Sequence, residues 1–209
     1  AYFNLIGIKH TSAPFYQMAL TFNKRDTLSV VKEYGIKTAV SVYLNKGDAI
    51  NLEQIIDKVG LPCFIKPNNA GSSYGISKAH TVDEIIPAIE KAYKEDSEVL
   101  PITEIVTEND FFDYEAKYEG KSKEITPARI SEEEKIKVEE TAKKVYSVLN
   151  MSGFSRSEYI LVNCEPYFLE MNTVPGLTEE SILPQQANKA GISLKDLFAN
   201  AIEASLNSF

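Results

Sequence analysis

The sequence predicts a mixed α+β protein with antiparallel strands and flanking helices. Three observations carry that expectation. Helical apolar spacing and short β-branched runs alternate along the chain, so neither element type dominates. Two runs, "GFSRSEYILV" and "EPYFLEM", flank only Asn163-Cys164, the length of a hairpin turn. At 209 residues the chain is long enough for one large domain or for two lobes with their own cores.

The elements follow in order. Residues 15–34 read as a helix with a break near Asn23, its apolar face continued by Val30, Val31 and Tyr34 and ended by Gly35. "TAVSVYL" (38–44) is expected as a strand. "NLEQIIDKVG" (51–60) is a short helix stopped by Gly60, and "LPCFIKP" (61–67) is a strand. A short strand near 76–79 precedes a helix opened by a capping box of Thr81 and Glu84. With Thr81 as the cap, Pro87 lies beyond the first turn, so a bend is expected there. "SEVL" (97–100) and "PITEIV" (101–106) read as two abutting strands with no turn between them. Residues 107–128 have no period and many charges, the signature of a long loop. Ser131 and Glu134 form a second capping box, opening a helix to about Asn150. After the two strands around Asn163-Cys164 comes the loop "NTVPGLTEES". Helices near 182–190 and 194–206 close the chain around Gly191.

Composition excludes some classes of function. With 44% hydrophobic and 25% charged residues the chain is an ordinary soluble globular sequence. A net charge of −8 argues against nucleic acid as a partner, because phosphate backbones need a dense basic face. No apolar run approaches the roughly 20 residues of a membrane span. Two cysteines are too few for a disulfide framework, which points to a reducing cytoplasm. The start "AYFNLIGIKHTS" resembles neither an initiator methionine nor a leader, so upstream sequence is expected.

The stretch "IKPNNAGSSYGISK" (65–78) ends an apolar strand on Lys66 and then strings together Gly, Asn and Ser. Such residues bury little, but a loop built from them exposes N–H groups that hold anions. Lys66 would add a point charge. It is not a P-loop, since no Gly-Lys-Ser/Thr is present and a strand follows. The residues alone also fit a solvated β-turn with a surface lysine.

On a strand, positions two apart share a face. Arg156 and Glu158 of "RSEY" therefore point one way, and so do Glu170 and Asn172 of "LEMN". Two carboxylates and an amide oxygen suit Mg²⁺, which takes few protein ligands and completes its shell with phosphates. The arginine suits phosphate oxygens. Ordinary ion pairs on a solvent-facing strand are the other reading. A regular two-residue turn would set Val162 opposite Glu165 and Glu158 opposite Leu169, leaving Glu170 on the wrong face. A shared site therefore requires an odd loop or a β-bulge, expected near Asn163–Pro166. Lys117 and Tyr118 of "DYEAKY" (113–118) fall in the long loop, either a charged excursion or a lid over a nucleotide. His10 and His80 are expected at the surface and Cys63 in the core, with no nucleophile triad.

Taken together and in this order, "IKPNNAGSSYGISK", "DYEAKY", "RSEY" and "FLEMNTVPGLTEESILPQ" resemble the D-alanine–D-alanine ligases of the ATP-grasp superfamily. The run Glu-x-Asn-Thr-x-Pro-Gly-Leu-Thr is the most specific part, and the resemblance covers the chain from about Phe15 to its end. It implies an ATP-grasp fold, with ATP gripped between two lobes: a central lobe over 1–100 and a C-terminal lobe over 101–209 with an ω-loop at 107–128. It implies that Lys24 and Lys66 contact ATP phosphates, Lys66 also near the adenine, and that Ser72 and Ser73 cover them. Lys117 would approach the γ-phosphate, and Tyr118 would close the acceptor site. Arg156 matches a transition-state arginine, and Glu158, Glu170 and Asn172 match ligands of two Mg²⁺, with Mn²⁺ as a substitute. Gly176 and Ser181 match contacts to the substrate dipeptide. Tyr118 favours D-alanine as acceptor.

The resemblance implies a cytoplasmic enzyme of cell-wall precursor synthesis acting on small molecules, without nucleic acid or membrane, and compatible with a homodimer. Three departures stand out. The family's N-terminal domain is absent from this chain. A hairpin and a Glu-rich hinge that hold adenine and ribose are missing between Leu100 and Pro101, and these residues are expected to exist in the molecule but to be disordered. Cys164 stands where a glycine is frequent, at a turn position that strains other residues. Two other functions stay open: an ATP-grasp carboxylate–amine ligase with another acceptor, and an inactive nucleotide-binding fragment.

Overall fold

The computed structural model describes residues 1–96, 98–102 and 125–207, with the backbone alone for 98–102. Its contacts form two units. One comprises Ala1–Thr21, Ser29–Lys37 and Glu124–Phe209, the other Phe22–Leu28 and Thr38–Lys123. The sequence reading cuts the chain once, at 100/101, whereas the chain changes unit four times. In the first unit the N-terminal stretch packs on C-terminal residues. The Thr11 carbonyl lies so close to Gly153 that a Cβ there would sit 2.7 Å from it, and Lys9 Nζ donates to the Leu206 carbonyl at 3.5 Å.

After α1 (Tyr2–Leu5), the expected long helix is two helices, α2 (Phe15–Phe22) and α3 (Lys24–Glu33), broken at Asn23 as anticipated. Asn23 supplies the reason: its Oδ1 accepts from Asp26 N at 3.0 Å, capping α3. Gly35, at φ 71°, follows the helix end.

The second unit holds a four-stranded antiparallel sheet in the order β1-β4-β2-β3. Its strands are β1 (Leu44–Asn45), β2 (Cys63–Pro67), β3 (Ser77–Ala79) and β4 (Glu98–Ile102). Helices α4 (Leu52–Val59) and α5 (Ile85–Glu95) cover one face. There Cys63, Ile65 and Ala79 meet Ile55, Ile85 and Ile89, none more than 2% exposed. Each buried isoleucine contributes about 1.5–3 kcal/mol. Helix α5 earns its place by period: Ile85, Ala88, Ile89 and Ala92 are all buried. Burial also pushes the Cys63 thiol up, as expected of an inert core cysteine.

Three expectations are corrected here. The strand over 38–44 shrinks to Leu44–Asn45, because a ladder needs a partner and β4 offers one only opposite those two residues. Pro87 does not sit deep in a helix. The Thr81–Glu84 box opens a separate 3₁₀ turn, Val82–Glu84, so Pro87 falls in the first turn of α5, where its missing N–H has no acceptor to lose. The two abutting strands are one strand, β4, running through Leu100–Pro101. The long loop, with Lys117 and Tyr118, lies outside the described residues up to 124.

The first unit is built on helix α6 (Glu132–Val148), which packs on a hairpin of β5 (Arg156–Val162) and β6 (Glu165–Asn172). The Ser131–Glu134 capping box forms as expected, and Ser131 holds the Glu134 carboxyl below its ordinary range. Helices α7 (Ile182–Lys189) and α8 (Leu194–Asn207) follow, separated at Gly191.

Candidate functional site

The hairpin β5–β6 carries the first cluster. Its turn is regular: Asn163 (φ 51°) and Cys164 (φ 61°) both take the left-handed conformation of a two-residue turn, and Val162 pairs with Glu165. The irregularity expected near Asn163–Pro166 is therefore absent from the turn and lies farther along. Tyr159 pairs with Phe168 and Glu158 with Glu170, leaving Leu169 as the extra residue of a β-bulge. Packing explains the position. On β6 the buried residues are Pro166, Phe168 and Met171, so parity switches between the last two. Phe168 (0% exposed) and Met171 (5%) both reach the core only if the strand gains one residue between them.

The bulge brings four predicted residues onto one face. Glu158 stands opposite Glu170, and Arg156 opposite Asn172. Arg156 donates to Glu158 Oε1 from Nη2 at 2.6 Å and from Nε at 3.2 Å. Asn172 Oδ1 accepts from Val174 N at 3.0 Å, which fixes the amide with its oxygen turned toward the loop. Among the described residues no group of three His, Cys, Asp or Glu could hold a metal. Two facing carboxylates with one amide oxygen nevertheless fit Mg²⁺, whose remaining positions go to water and phosphate. Beyond β6, Gly176 packs against Ser181: a Cβ at 176 would lie 2.6 Å from Ser181 Oγ, itself 2.8 Å from Thr178 Oγ1.

The far end of the same hairpin is held by charge. Glu165 accepts from Lys137 of α6 at 2.9 Å and from Lys37 at 3.1 Å. Those two hydrogen bonds hold its carboxyl below the ordinary carboxylate range, while Glu165 and Glu133 raise Lys137.

The second cluster surrounds the connection between β2 and β3. Lys66 pairs with Leu100 and, by alternation with Cys63 and Ile65, lies on the sheet face away from α4 and α5. Lys78 Nζ is 5.8 Å from the ring centroid of Phe64, its cross-strand partner on that same face. Ser72 (φ 51°) and Ser73 (φ 59°) form the tip of the loop, closed by Tyr74 N donating to the Gly71 carbonyl at 3.1 Å. Two successive non-glycine residues at positive φ cost about 1–2 kcal/mol each, strain typical of functional loops. Lys24, first in α3, donates from Nζ to the Ala70 carbonyl at 2.8 Å. The structure thus brings Lys24 to the loop carrying Ser72 and Ser73.

Sequence reasoning missed the residues that hold this loop. Asn68 is fully buried; its Oδ1 accepts from Arg25 N at 2.8 Å and its carbonyl from Lys24 N at 3.3 Å. Asn69 donates to Asp96 Oδ2 twice, from N at 2.7 Å and from Nδ2 at 3.0 Å. One signal was available: Asp96 follows the C-terminal end of α5, where the helix dipole disfavours a carboxylate. His80 is exposed and His10 half-buried, its Nε2 3.1 Å from Asn4 Oδ1.

Comparison with known proteins identifies the family. The family model described as "D-ala D-ala ligase C-terminus" matches residues 30–101 and 94–203, two stretches that overlap over 94–101. The D-alanine–D-alanine ligase of Flavobacterium johnsoniae is 64% identical over 230 aligned positions, covering 99% of this chain and 71% of that protein. The alignment is longer than the 209 residues here, so the pair does not match without gaps. The ligase of Christiangramia forsetii is 54% identical, covering 99% of this chain and 71% of its own. Among solved structures, the D-alanine–D-alanine ligase of Bacillus anthracis superposes with a TM-score of 0.84 at 26% identity, over 98% of this chain and 73% of that one. The same enzyme complexed with ATP gives 0.83 at 25% identity, over 98% and 72%. These matches also make the fold an ATP-grasp α+β fold, and the chain belongs to the D-alanine–D-alanine ligase family.

Proposed function

We propose that the chain is an ATP-dependent ligase that joins two D-alanine molecules for peptidoglycan precursor synthesis. One observation carries the reading beyond family membership: the bulge at Leu169 sets Arg156, Glu158, Glu170 and Asn172 on one strand face. That face combines oxygen ligands for hard cations with a bidentate donor for phosphate.

The carboxylate of the first D-alanine attacks the γ-phosphorus of ATP, ADP leaves, and an acyl phosphate forms. The amine of the second D-alanine attacks the acyl carbon, phosphate leaves, and the nitrogen loses its proton as the peptide bond is made. Positioning and charge neutralisation carry such a reaction. Lys24, Lys66 and the N–H groups of Ser72 and Ser73 hold the phosphates. By the family pattern Lys117 would approach the γ-phosphate and Tyr118 would close the acceptor site, and both lie outside the described residues. Glu158, Glu170 and Asn172 are the residues that would hold two Mg²⁺ or Mn²⁺, and the ions, once bound, neutralise the phosphate oxygens. Arg156 and Gly176 N–H face the developing oxyanion, with Ser181 beside the product. The reading places the reaction in the cytoplasm, with no membrane or nucleic-acid partner, and is compatible with a homodimer. Among the described residues no helix is long and apolar enough to cross a membrane.

ATP-dependent phosphate release with D-alanine, compared with D-lactate and D-serine, tests this. Release with D-alanine as the preferred acceptor is the expected result. Preference for another acceptor would move the chain to a neighbouring ligase, and no release with any would sink the reading.

A further inference from the structure

The glycine-rich loop does not hold its shape by its own turn alone. At its start, both N–H groups of Asn69 converge on one oxygen of Asp96, at 2.7 and 3.0 Å. At its end, Gly75 (φ 70°) is pressed against the neighbouring residue of the same helix. A Cβ there would lie 2.7 Å from Glu95 Cγ and 2.7 Å from Pro67 Cγ. The last residue of α5 and the one after it thus touch both ends of the loop. Asp96 is also misplaced for helix stability, since its charge opposes the dipole at that end. A carboxylate kept against a local rule is a mark of a positional task.

We propose that Glu95–Asp96, at the C-terminal end of α5, is the seat of the phosphate loop, and that Asp96 is a positioning residue. It acts through Asn69 to present the strained Ser72–Ser73 tip, and it touches no substrate. The inference rests on the ligase reading for the identity of the anion, a nucleoside triphosphate, but the seat itself is a property of the fold.

The test compares Asp96→Ala and Asp96→Asn in the full chain, by steady-state kinetics and by amide hydrogen exchange without nucleotide. Asp96→Ala should raise KM for ATP about ten-fold, the scale of one charge-assisted hydrogen bond, while KM for D-alanine stays put. Exchange over 69–75 should quicken by a similar factor, with β2 and α5 unchanged. Asp96→Asn keeps an acceptor oxygen and should recover most of both effects. Wild-type exchange and KM in Asp96→Ala would overturn the proposal. So would exchange quickening equally in β2 and α5, with both KM values rising together, since that is loss of fold. Wild-type protein that turns over no ATP would sink the ligase reading instead, and the exchange comparison would still decide the seat.

Discussion

Two antiparallel hairpins carry the candidate chemistry, and they carry it in opposite ways. In β5–β6 the turn is two residues long and the functional groups lie toward the open end of the strands, about 13–20 Å away at 3.3 Å per residue. In β2–β3 the strands are short and the connection, residues 68–76, is itself the candidate site. The first presents side chains: period two, corrected once by a bulge, sets four of them on one face. The second presents backbone, so it needs residues that tolerate positive φ and anchors from outside. A strand face suits a cation site, where a few charged oxygens must be aimed. A loop suits a chain of phosphates, where many N–H groups must converge.

Substitutions can break or sharpen this contrast. The largest effect belongs to the strand face. Glu170→Gln removes a charge without removing volume, and should cut turnover by about 10²–10³-fold, the scale set by losing one preorganised electrostatic contact. Circular dichroism and the melting temperature should stay as in wild type. Retained turnover would remove the metal assignment.

Next comes the loop. Gly75→Ala adds a Cβ at φ 70° against Glu95 and Pro67. Strain and overlap together should cost roughly 2–3 kcal/mol, read by denaturant unfolding, with a raised KM for ATP. An unchanged protein would mean that the loop re-seats freely.

The hairpin turn should behave in the opposite sense. Cys164→Gly relieves a non-glycine residue at φ 61° and should stabilise by about 0.5–1 kcal/mol, with kcat and both KM values unaltered. Altered kinetics would show that the β5–β6 turn is more than scaffold.

The smallest effect concerns pH. Lys137 and Lys37 hold the Glu165 carboxyl below its ordinary value of 4.5. The stabilisation from that pairing is therefore fully present above the ordinary value and is lost as pH falls through the depressed one. Glu165→Gln should flatten the acid limb of a melting-temperature profile and leave the profile at neutral pH nearly unchanged, since the pairs are exposed. An acid limb as steep as in wild type would show that other carboxyls dominate it.

Much of this was legible before any coordinates. The break at Asn23, both capping boxes, the glycine stops at 35 and 60 and the turn at Asn163-Cys164 depend on residues within about four positions of each other. So did the need for a bulge, since period two makes Glu158 and Glu170 incompatible with a regular ladder. Its place was readable too, in hindsight. The adjacent apolar pair Phe168-Leu169 marks the parity switch, but only a core that must take both Phe168 and Met171 turns that mark into a bulge. The strand expected over 38–44 failed for a related reason: β-branched residues favour extension, but only a partner makes a ladder.

The sequence by itself determined where most of the helices begin and end, which residue types could meet phosphate and metal, and the family to which the chain belongs. Those follow from local sterics, capping and a motif order that survives without coordinates. The tertiary structure alone decided which strands pair, where β6 slips by one residue, and what grips the glycine-rich loop. Asn69 meets Asp96 across 27 positions and Asn68 meets Arg25 across 43. No local propensity encodes such contacts, because each exists only once the collapsed core has brought its two ends together.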